Sequence, residues 1–492
     1  MIRQDIRSAY TATIGIECHV QLKTQTKLFS GANNDARDAA PNTLVNHIDF
    51  GLPGALPVLN QAAVALACKA ALALNTEPQR FSKFDRKHYF YPDLPMGYQI
   101  TQFDEPIILG GYIDIAVDGE TKRIGITRAH LEADAGKSTH PAGANYSLVD
   151  LNRAGTPLLE IVSEPVMHSA AEAKAYAHEL YLRMRYADVS EANLYYGNMR
   201  FDVNVSVSKT NELGTRTETK NLNSFRSIER AVEYEIARQI ELLEQGDPIV
   251  QETRGWDDNA LKTFSQRSKE DAHDYRYMPD PDIPPVLLSD EYVAEIAANM
   301  NELPDDFRAK FANIGLDVQT TEDVLADPQI ARLVGLVYDD AGAEHAKRVA
   351  FWTMQPHSND SQGNSQLQSE NGVKPKEVDE ASQVKNLIAL SEMVSANKLS
   401  STAAKEVLEA MLQTGQSPEE IAQAKNLLQV SDEGAIAEIV AKVLADNPAA
   451  ATDVQNGEMK AIGFLVGQVM KASQGKANPA LATELIKKQL EV

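Results

Sequence analysis

Between residues 14 and 22 the order Ile-Gly-Ile-Glu-Cys-His-Val-Gln-Leu places apolar and polar side chains by turns. That two-residue period predicts a strand with one polar face, and it sets Glu17 and His19 together on that face with Cys18 opposite. Residues 199–207, MRFDVNVSV, repeat the logic, so Asp202, Asn204 and Ser206 share a face. Turn signals such as Gly110-Gly111 and Asp118-Gly119 separate further short β-like runs. Two long helices interrupt them. Ser169-Ala170-Ala171-Glu172 reads as a capping box opening a helix to about Tyr186. A second helix starts near Ser227, with Ile228, Val232, Ile236, Ile240 and Leu243 as its apolar stripe and Gly246 as its stop. Strands mixed with segregated helices predict an α+β fold built on antiparallel sheet.

After Pro284-Pro285 the pattern turns helical. Residues 355–371 are rich in Ser, Asn and Gln with Leu367 as their single bulky apolar side chain, which predicts a flexible loop. Beyond Val384 the chain reads as short capped helices, with Ser417-Pro418 opening one and Asn447-Pro448 separating two others. These shifts divide the chain into 1–292, 293–405 with a loop near 355–383, and 406–492, the last two all-helical.

Length and charge narrow the function. A chain of 492 residues exceeds one hydrophobic core, and 43% hydrophobic with 24% charged residues is ordinary for a soluble protein. The first residues lack the apolar segment of a signal peptide, and the run Ile462–Met470 is too short to span a membrane. Gly463 and Gly467 within it therefore predict close packing in a soluble helix. Two cysteines build neither a disulfide framework nor a four-cysteine metal site, and the cytoplasm is the expected compartment. A net charge of −23 opposes electrostatic coating of nucleic acid but leaves room for a local basic face. Lys460, Lys471, Lys476, Lys487 and Lys488 are such a concentration near the C-terminus, although a solvated helical surface looks the same.

Candidate chemistry starts from Glu17 and His19, a pair suited to a hard metal ion. Further acids in polar contexts are Glu132, Asp134, Asp202, Glu218 and Glu252. Each alone is usually solvated or bonded to backbone, and only convergence makes a site. Ala135-Gly136-Lys137-Ser138 imitates a phosphate loop but has Leu131 where the first glycine belongs. Cys18 reads as a small buried hydrophobe rather than a nucleophile. Residues 83–100 mix aromatics, prolines and basic side chains, which fits nucleotide contact and a packed surface loop equally.

These motifs resemble the B subunit of the tRNA-dependent amidotransferases over nearly the whole chain. They are IGIECHVQL at 14–22, KFDRKHYFYPDLP at 83–95, HLEADAGK at 130–137, NRAGTPLLEIVSEP at 152–165, MRFDVNVS at 199–206, TKNLNSF at 219–225 and HDYRYMPDPDIPP at 273–285. VSDEGA at 430–435 and GFLVGQVMKASQGKANP at 463–479 match the family's terminal domain. The resemblance implies a cradle-like N-terminal domain carrying the kinase and transamidase site, a helical domain, and a tail that contacts tRNA through the lysines named above. It implies Mg2+-dependent phosphorylation by ATP of the carboxylate of misacylated Glu-tRNA(Gln) or Asp-tRNA(Asn), then amidation by ammonia. The implied metal ligands are Glu17, His19, Glu132, Asp202, Glu218 and Glu252, with Lys87 and Tyr89 on the ammonia passage. The implied partners are an amidase-type glutaminase A subunit and a small C subunit in a heterotrimer.

Two departures stand out. Met96 replaces a lysine common after the second proline of the YFYPDxP motif, and Asn46-His47-Ile48-Asp49 replaces a Cys-x-x-Cys pair found in many relatives, so no zinc is expected. Clustered carboxylates with histidine would equally suit a two-metal phosphohydrolase or nuclease, and the helical tail would suit a non-catalytic tRNA scaffold.

Overall fold

The computed structural model describes residues 4–141, 143–210, 212–268, 274–354, 379–429, 433–473 and 477–492. The chain forms two compact units that part between Pro304 and Asp305. Among the described residues the strands in chain order are β1 (Thr11–Gln21), β2 (Phe81–Ser82), β3 (Asp85–His88), β4 (Tyr98–Thr101), β5 (Ile108–Leu109), β6 (Tyr112–Val117), β7 (Glu120–Ala133) and β8 (Lys137–Thr139). They continue with β9 (Leu148–Asp150), β10 (Pro157–Ser163), β11 (Met199–Ser208), β12 (Thr217–Leu222), β13 (Glu252–Asp257), β14 (Lys262–Ser268), β15 (Met278–Pro279) and β16 (Val286–Leu287).

The first unit is organised by a nine-stranded sheet of order β14-β13-β12-β11-β1-β10-β7-β5, with β6 also paired to β7. Its ladders are antiparallel except β12–β13, which bears out the α+β expectation. The alternation in β1 sets its geometry. Ile14, Ile16, Cys18 and Val20 are buried, opposite Val205, Val203, Phe201 and Met199 of β11. Leu159 and Ile161 of β10 continue this apolar face to Leu131 and Ala129 of β7. The helices Ala170–Tyr186 and Phe225–Gln245 contribute Tyr176, Leu180, Ile228, Val232 and Ile236 to the same core. Each such side chain taken out of water stabilises by about 1.5–3 kcal/mol, and truncating Ile16 to alanine would cost about 2–5 kcal/mol. A one-residue slip of β1 would turn Glu17 and His19 into this core, so burial locks the register.

The helix ends refine the expectations. Ser169 caps its helix by accepting from the Glu172 N–H at 3.1 Å, but the Glu172 carboxylate turns to the His168 N–H at 2.7 Å instead of closing a box. The second helix opens at Phe225, capped by Ser224, two residues ahead of the expected start, and stops at Gly246 in the left-handed region at φ 85°. Ser417 and Glu420 do form a reciprocal capping box.

Every element described in the second unit is a helix, the first being Pro304–Ile314 at the boundary and the last Pro479–Leu490. The expected loop at 355–378 lies outside the described residues, while 380–383 form the first turn of the helix Glu380–Ser395, capped by Asp379. In the tail, Ile436, Val440, Val454, Leu465, Val469 and Ile486 pack as one cluster. Gly463 and Gly467 do not pack closely as expected. Both are exposed, and a Cβ added to either would meet nothing within 4 Å. Lys460 and Lys471 are exposed on that helix, Lys487 and Lys488 lie on the last one, and Lys476 is outside the described residues. No described helix is long and apolar enough to cross a membrane.

Candidate metal centre

The face of the sheet opposite the core is polar because the even and odd residues of β1 part company. Glu17 stands opposite Asp202 of β11, and His19 stands opposite Arg200 on one side and Glu160 of β10 on the other. Glu160 in turn faces His130 of β7, while Glu132 lies opposite Leu158. Strands drawn from residues 11 to 208 thus deliver acids and imidazoles to one surface.

The contacts centre on His19. Its Nε2 lies 3.7 Å from Glu17 Oε1, 3.6 Å from Glu132 Oε1 and 3.5 Å from Glu160 Oε2. His130 Nε2 lies 3.8 Å from Glu132 Oε2 and 3.7 Å from Glu160 Oε2. Among the described residues two groups bring their ligand atoms within 4.8 Å of one another: Glu17, His19 and Asp202, and His19, Glu132 and Glu160. Hard oxygen donors with a shared imidazole nitrogen are the composition of a divalent-cation site.

The electrostatics follow from crowding. Burial and the neighbouring Glu160 and Asp202 push the Glu17 carboxyl up to about 7, against the pull of His19. Burial also works against a charged His19, but the hydrogen bond to Glu160 and the charges of Glu132, Glu160 and Glu17 prevail and raise it to about 9. Glu160, despite its burial, is held down at about 2 by His130, His19 and Lys87. Without a cation these carboxylates favour the protonated form of the His19 imidazole, and ligating a cation through Nε2 would release that proton.

The other expected residues fall around this centre. Glu218 of β12 accepts from Thr253 Oγ1 at 3.1 Å and reaches Lys220 Nζ at 3.1 Å, and the same Nζ is 2.9 Å from Asp202 Oδ2. Glu252 is paired with Arg254, whose Nε is also 3.0 Å from Glu235 Oε1. Neither Glu218 nor Glu252 belongs to the two convergent groups. Asp134 accepts from Arg200 at 3.1 Å and pairs with Arg153 at 3.2 Å. Lys87, on β3, lies 4.9 Å from the Tyr275 ring centroid, and Tyr89 packs edge-on to that ring. Burial opposes the Lys87 charge, yet Glu132, Tyr277 and Glu160 raise its affinity for the proton, so it stays an ammonium.

Glu160, His130 and Lys220 join the polar face without having been singled out by sequence. A signal existed for Glu160: an acid in the middle of the apolar run Leu158-Leu159-Glu160-Ile161 must find partners when the strand is central. Cys18 is fully buried on the opposite face, and burial holds its thiol well above the ordinary value, so it is no nucleophile. The Gly136 N–H donates to the Asp93 carbonyl at 2.8 Å, so the false phosphate loop spends that amide on structure.

Within residues 46–49, Asp49 accepts from Ser30 Oγ at 2.8 Å and from the Asn46 N–H at 2.9 Å, with buried Lys27 Nζ at 3.3 Å. Gly155, at φ 84°, allows this, since a Cβ there would come within 2.9 Å of Asp49 Oδ1.

Fold and face together define a sheet-borne carboxylate–imidazole centre of metal-ligating composition, followed by a helical C-terminal unit. The pattern described as the GatB/GatE catalytic domain matches residues 12–294, and that described as the GatB domain matches residues 340–490. The B subunit of the aspartyl/glutamyl-tRNA(Asn/Gln) amidotransferase of Carboxydothermus hydrogenoformans is 44% identical over 489 residues, covering 98% of this chain and 99% of the relative. The corresponding B subunits of Caldicellulosiruptor bescii and Persephonella marina are 43% and 44% identical over 488 residues, covering 98% of this chain and 99% and 100% of theirs. The chain belongs to the family of aspartyl/glutamyl-tRNA(Asn/Gln) amidotransferase B subunits.

Proposed function

We propose that this chain is the activating and amidating subunit of a glutamine-dependent tRNA amidotransferase, a carbon–nitrogen ligase acting on misacylated Glu-tRNA(Gln) and Asp-tRNA(Asn). A side-chain carboxylate oxygen attacks the γ-phosphorus of ATP and ADP leaves. Ammonia then attacks the acyl carbon, and inorganic phosphate departs with the proton the nitrogen loses. The ammonia comes from an amidase-type A subunit acting as glutaminase, with a small C subunit completing a cytoplasmic heterotrimer.

The observation that carries this reading is the convergence of Glu17, His19, Glu132, Asp202 and Glu160 on one sheet face. The donor set fits Mg2+, and Glu17, His19, Glu132 and Asp202 are the proposed ligands, with Glu218 and Glu252 proposed as further ligands. A divalent cation held there supplies neutralisation of the phosphoryl charge. Glu17 and Asp202 orient that charge from adjacent strands, and Lys87 places a fixed ammonium beside Glu132 and Glu160. Lys87 and Tyr89 are proposed to line the approach of ammonia. The tail lysines are proposed to meet tRNA phosphates, and the helical part is proposed to divide near residue 405. Zinc has no proposed place, since Asn46 and Asp49 serve the Lys27 network.

The test is ATP turnover and amide formation by the assembled complex on purified Glu-tRNA(Gln) and Asp-tRNA(Asn), with and without Mg2+. ADP release should require Mg2+ and rise with misacylated tRNA. A phosphohydrolase would turn over without tRNA, and a scaffold would not turn over at all. The purified chain alone should release no ammonia from glutamine.

A further inference from the structure

Lys220 follows Glu218 by two residues on β12, and β12 lies beside β11, so its stem crosses to the Asp202 carboxylate. The ammonium is shared: Nζ is 2.9 Å from Asp202 Oδ2 and 3.1 Å from Glu218 Oε1. Glu218 is held for this contact, because its second oxygen accepts from Thr253 Oγ1 at 3.1 Å. Asp202 is at the same time one corner of the group that Glu17 and His19 complete within 4.8 Å. One carboxylate therefore serves two positive centres, an internal ammonium and the position suited to a divalent cation.

We infer that Lys220 is the built-in counter-ion of the cation centre, holding Asp202 and Glu218 in its absence and competing with the cation for them. This rests on the reading of the carboxylate face as a divalent-cation site. Two observations favour a displaceable partner over a permanent brace. The Lys220 side chain is 36% exposed, whereas those of Asp202 and Glu218 are 8% and 15%, so the ammonium has room to leave while the carboxylates do not. The neighbouring pair on β13 shows the opposite design. Arg254 meets Glu252 with a guanidinium that also pairs with Glu235 and donates to Thr263 Oγ1 at 2.8 Å, a fork locked from several sides. A single ammonium on a flexible stem has no such lock. Burial works against the Lys220 charge, but Asp202, Glu218 and Glu17 hold its proton affinity above the ordinary value. The arrangement keeps the carboxylates neutralised and aimed before a cation arrives, and it weakens the cation's grip.

The experiment is a titration of the full chain with Mn2+ alone, following free Mn2+ by electron paramagnetic resonance, for wild type, Lys220→Met, Lys220→Gln and Lys220→Arg. Removing the competing charge should tighten Mn2+ binding in Lys220→Met by at least about fivefold, the lower end of typical coupling between two ligands. Lys220→Gln provides the same comparison if the methionine variant does not fold, and Lys220→Arg should stay close to wild type because the charge remains. Melting without metal should fall in Lys220→Met and be restored by Mn2+ more than in wild type. Wild-type binding of Mn2+ with equal or weaker binding in both neutral variants would overturn the role of Lys220 and leave the centre standing. If wild type takes up no Mn2+, both the centre and this role are overturned.

Discussion

His19 and Glu160 stand directly opposite one another across the β1–β10 ladder, and the imidazole Nε2 lies 3.5 Å from the carboxylate Oε2. The same carboxylate reaches His130, so Glu160 ties β1 to β7 through side chains as well as through the backbone. Glu160→Gln keeps the shape and removes the charge. It should weaken Mn2+ binding and amide formation together by about 10–100-fold, the usual cost of disturbing a partner of a metal ligand. Wild-type Mn2+ affinity in that variant would remove Glu160 from the centre.

Glu17 offers the cleaner test of the ligands themselves. Its side chain is 27% exposed, whereas Glu132 is buried among histidines, where alanine would also cost stability. Glu17→Ala should lose amide formation by more than about a hundredfold, beyond the range for outer partners. Its unfolding free energy should change by less than about 1 kcal/mol, measured by urea titration. Full activity at saturating Mg2+ would sink the assignment.

Acid stability should depend on Glu235, which has no exposed surface and accepts from Thr217, Arg238 and Thr263 beside Arg254. Burial pushes its carboxyl up, but Arg238, Thr263 and Arg254 outweigh it and hold it below the ordinary 4.5. A folded-state value below the unfolded one means the unfolded chain takes up the proton first as pH falls. The stabilisation is therefore complete above 4.5 and is lost as pH falls through the lowered value. Glu235→Gln should cost about 1–3 kcal/mol at neutral pH, because the part-buried Arg238 loses its charged partner while Arg254 keeps Glu252. As pH falls from the ordinary 4.5 through the lowered value, its stability should fall less than that of wild type, read by urea unfolding at each pH. Parallel pH profiles would show that Glu235 does not govern this window.

The tail tests whether its lysines are contacts or solubilising charge. Each lysine that meets a phosphate releases counterions, so replacing Lys460, Lys471, Lys487 or Lys488 by alanine should reduce the slope of log affinity against log salt by up to about one. Removing everything after about residue 405 should weaken tRNA binding far more than glutamine hydrolysis in the assembled complex, and added ammonia should not rescue it. Unchanged affinity in filter binding at two salt concentrations would leave the lysines as ordinary surface charge.

Much of the fold was legible because it depends on local periodicity. The alternation of 14–22 dictated which side chains of β1 enter the core, and so joined Glu17 to His19 without any tertiary information. The stripe from Ile228 to Ile240 and the stop at Gly246 likewise depend on neighbours within a few residues. Polar context singled out Glu132 and Asp202 and the family motifs gave them a role, but ladder register alone set Asp202 opposite Glu17 and brought Glu132 across β10 to His19. What only the tertiary structure decided is the company each charge keeps. Glu160 faces His19 across the sheet from about 140 residues away, and Lys220 reaches Asp202 only because β12 lies beside β11. Gly463 and Gly467 looked like packing residues, yet they face open space, since spacing along a helix says which side chains share a face and not what covers it. Strand periodicity is a property of the chain, while pairing and burial are properties of the assembled sheet. The polar face therefore existed in the sequence as scattered acids, and the ladder made it a centre.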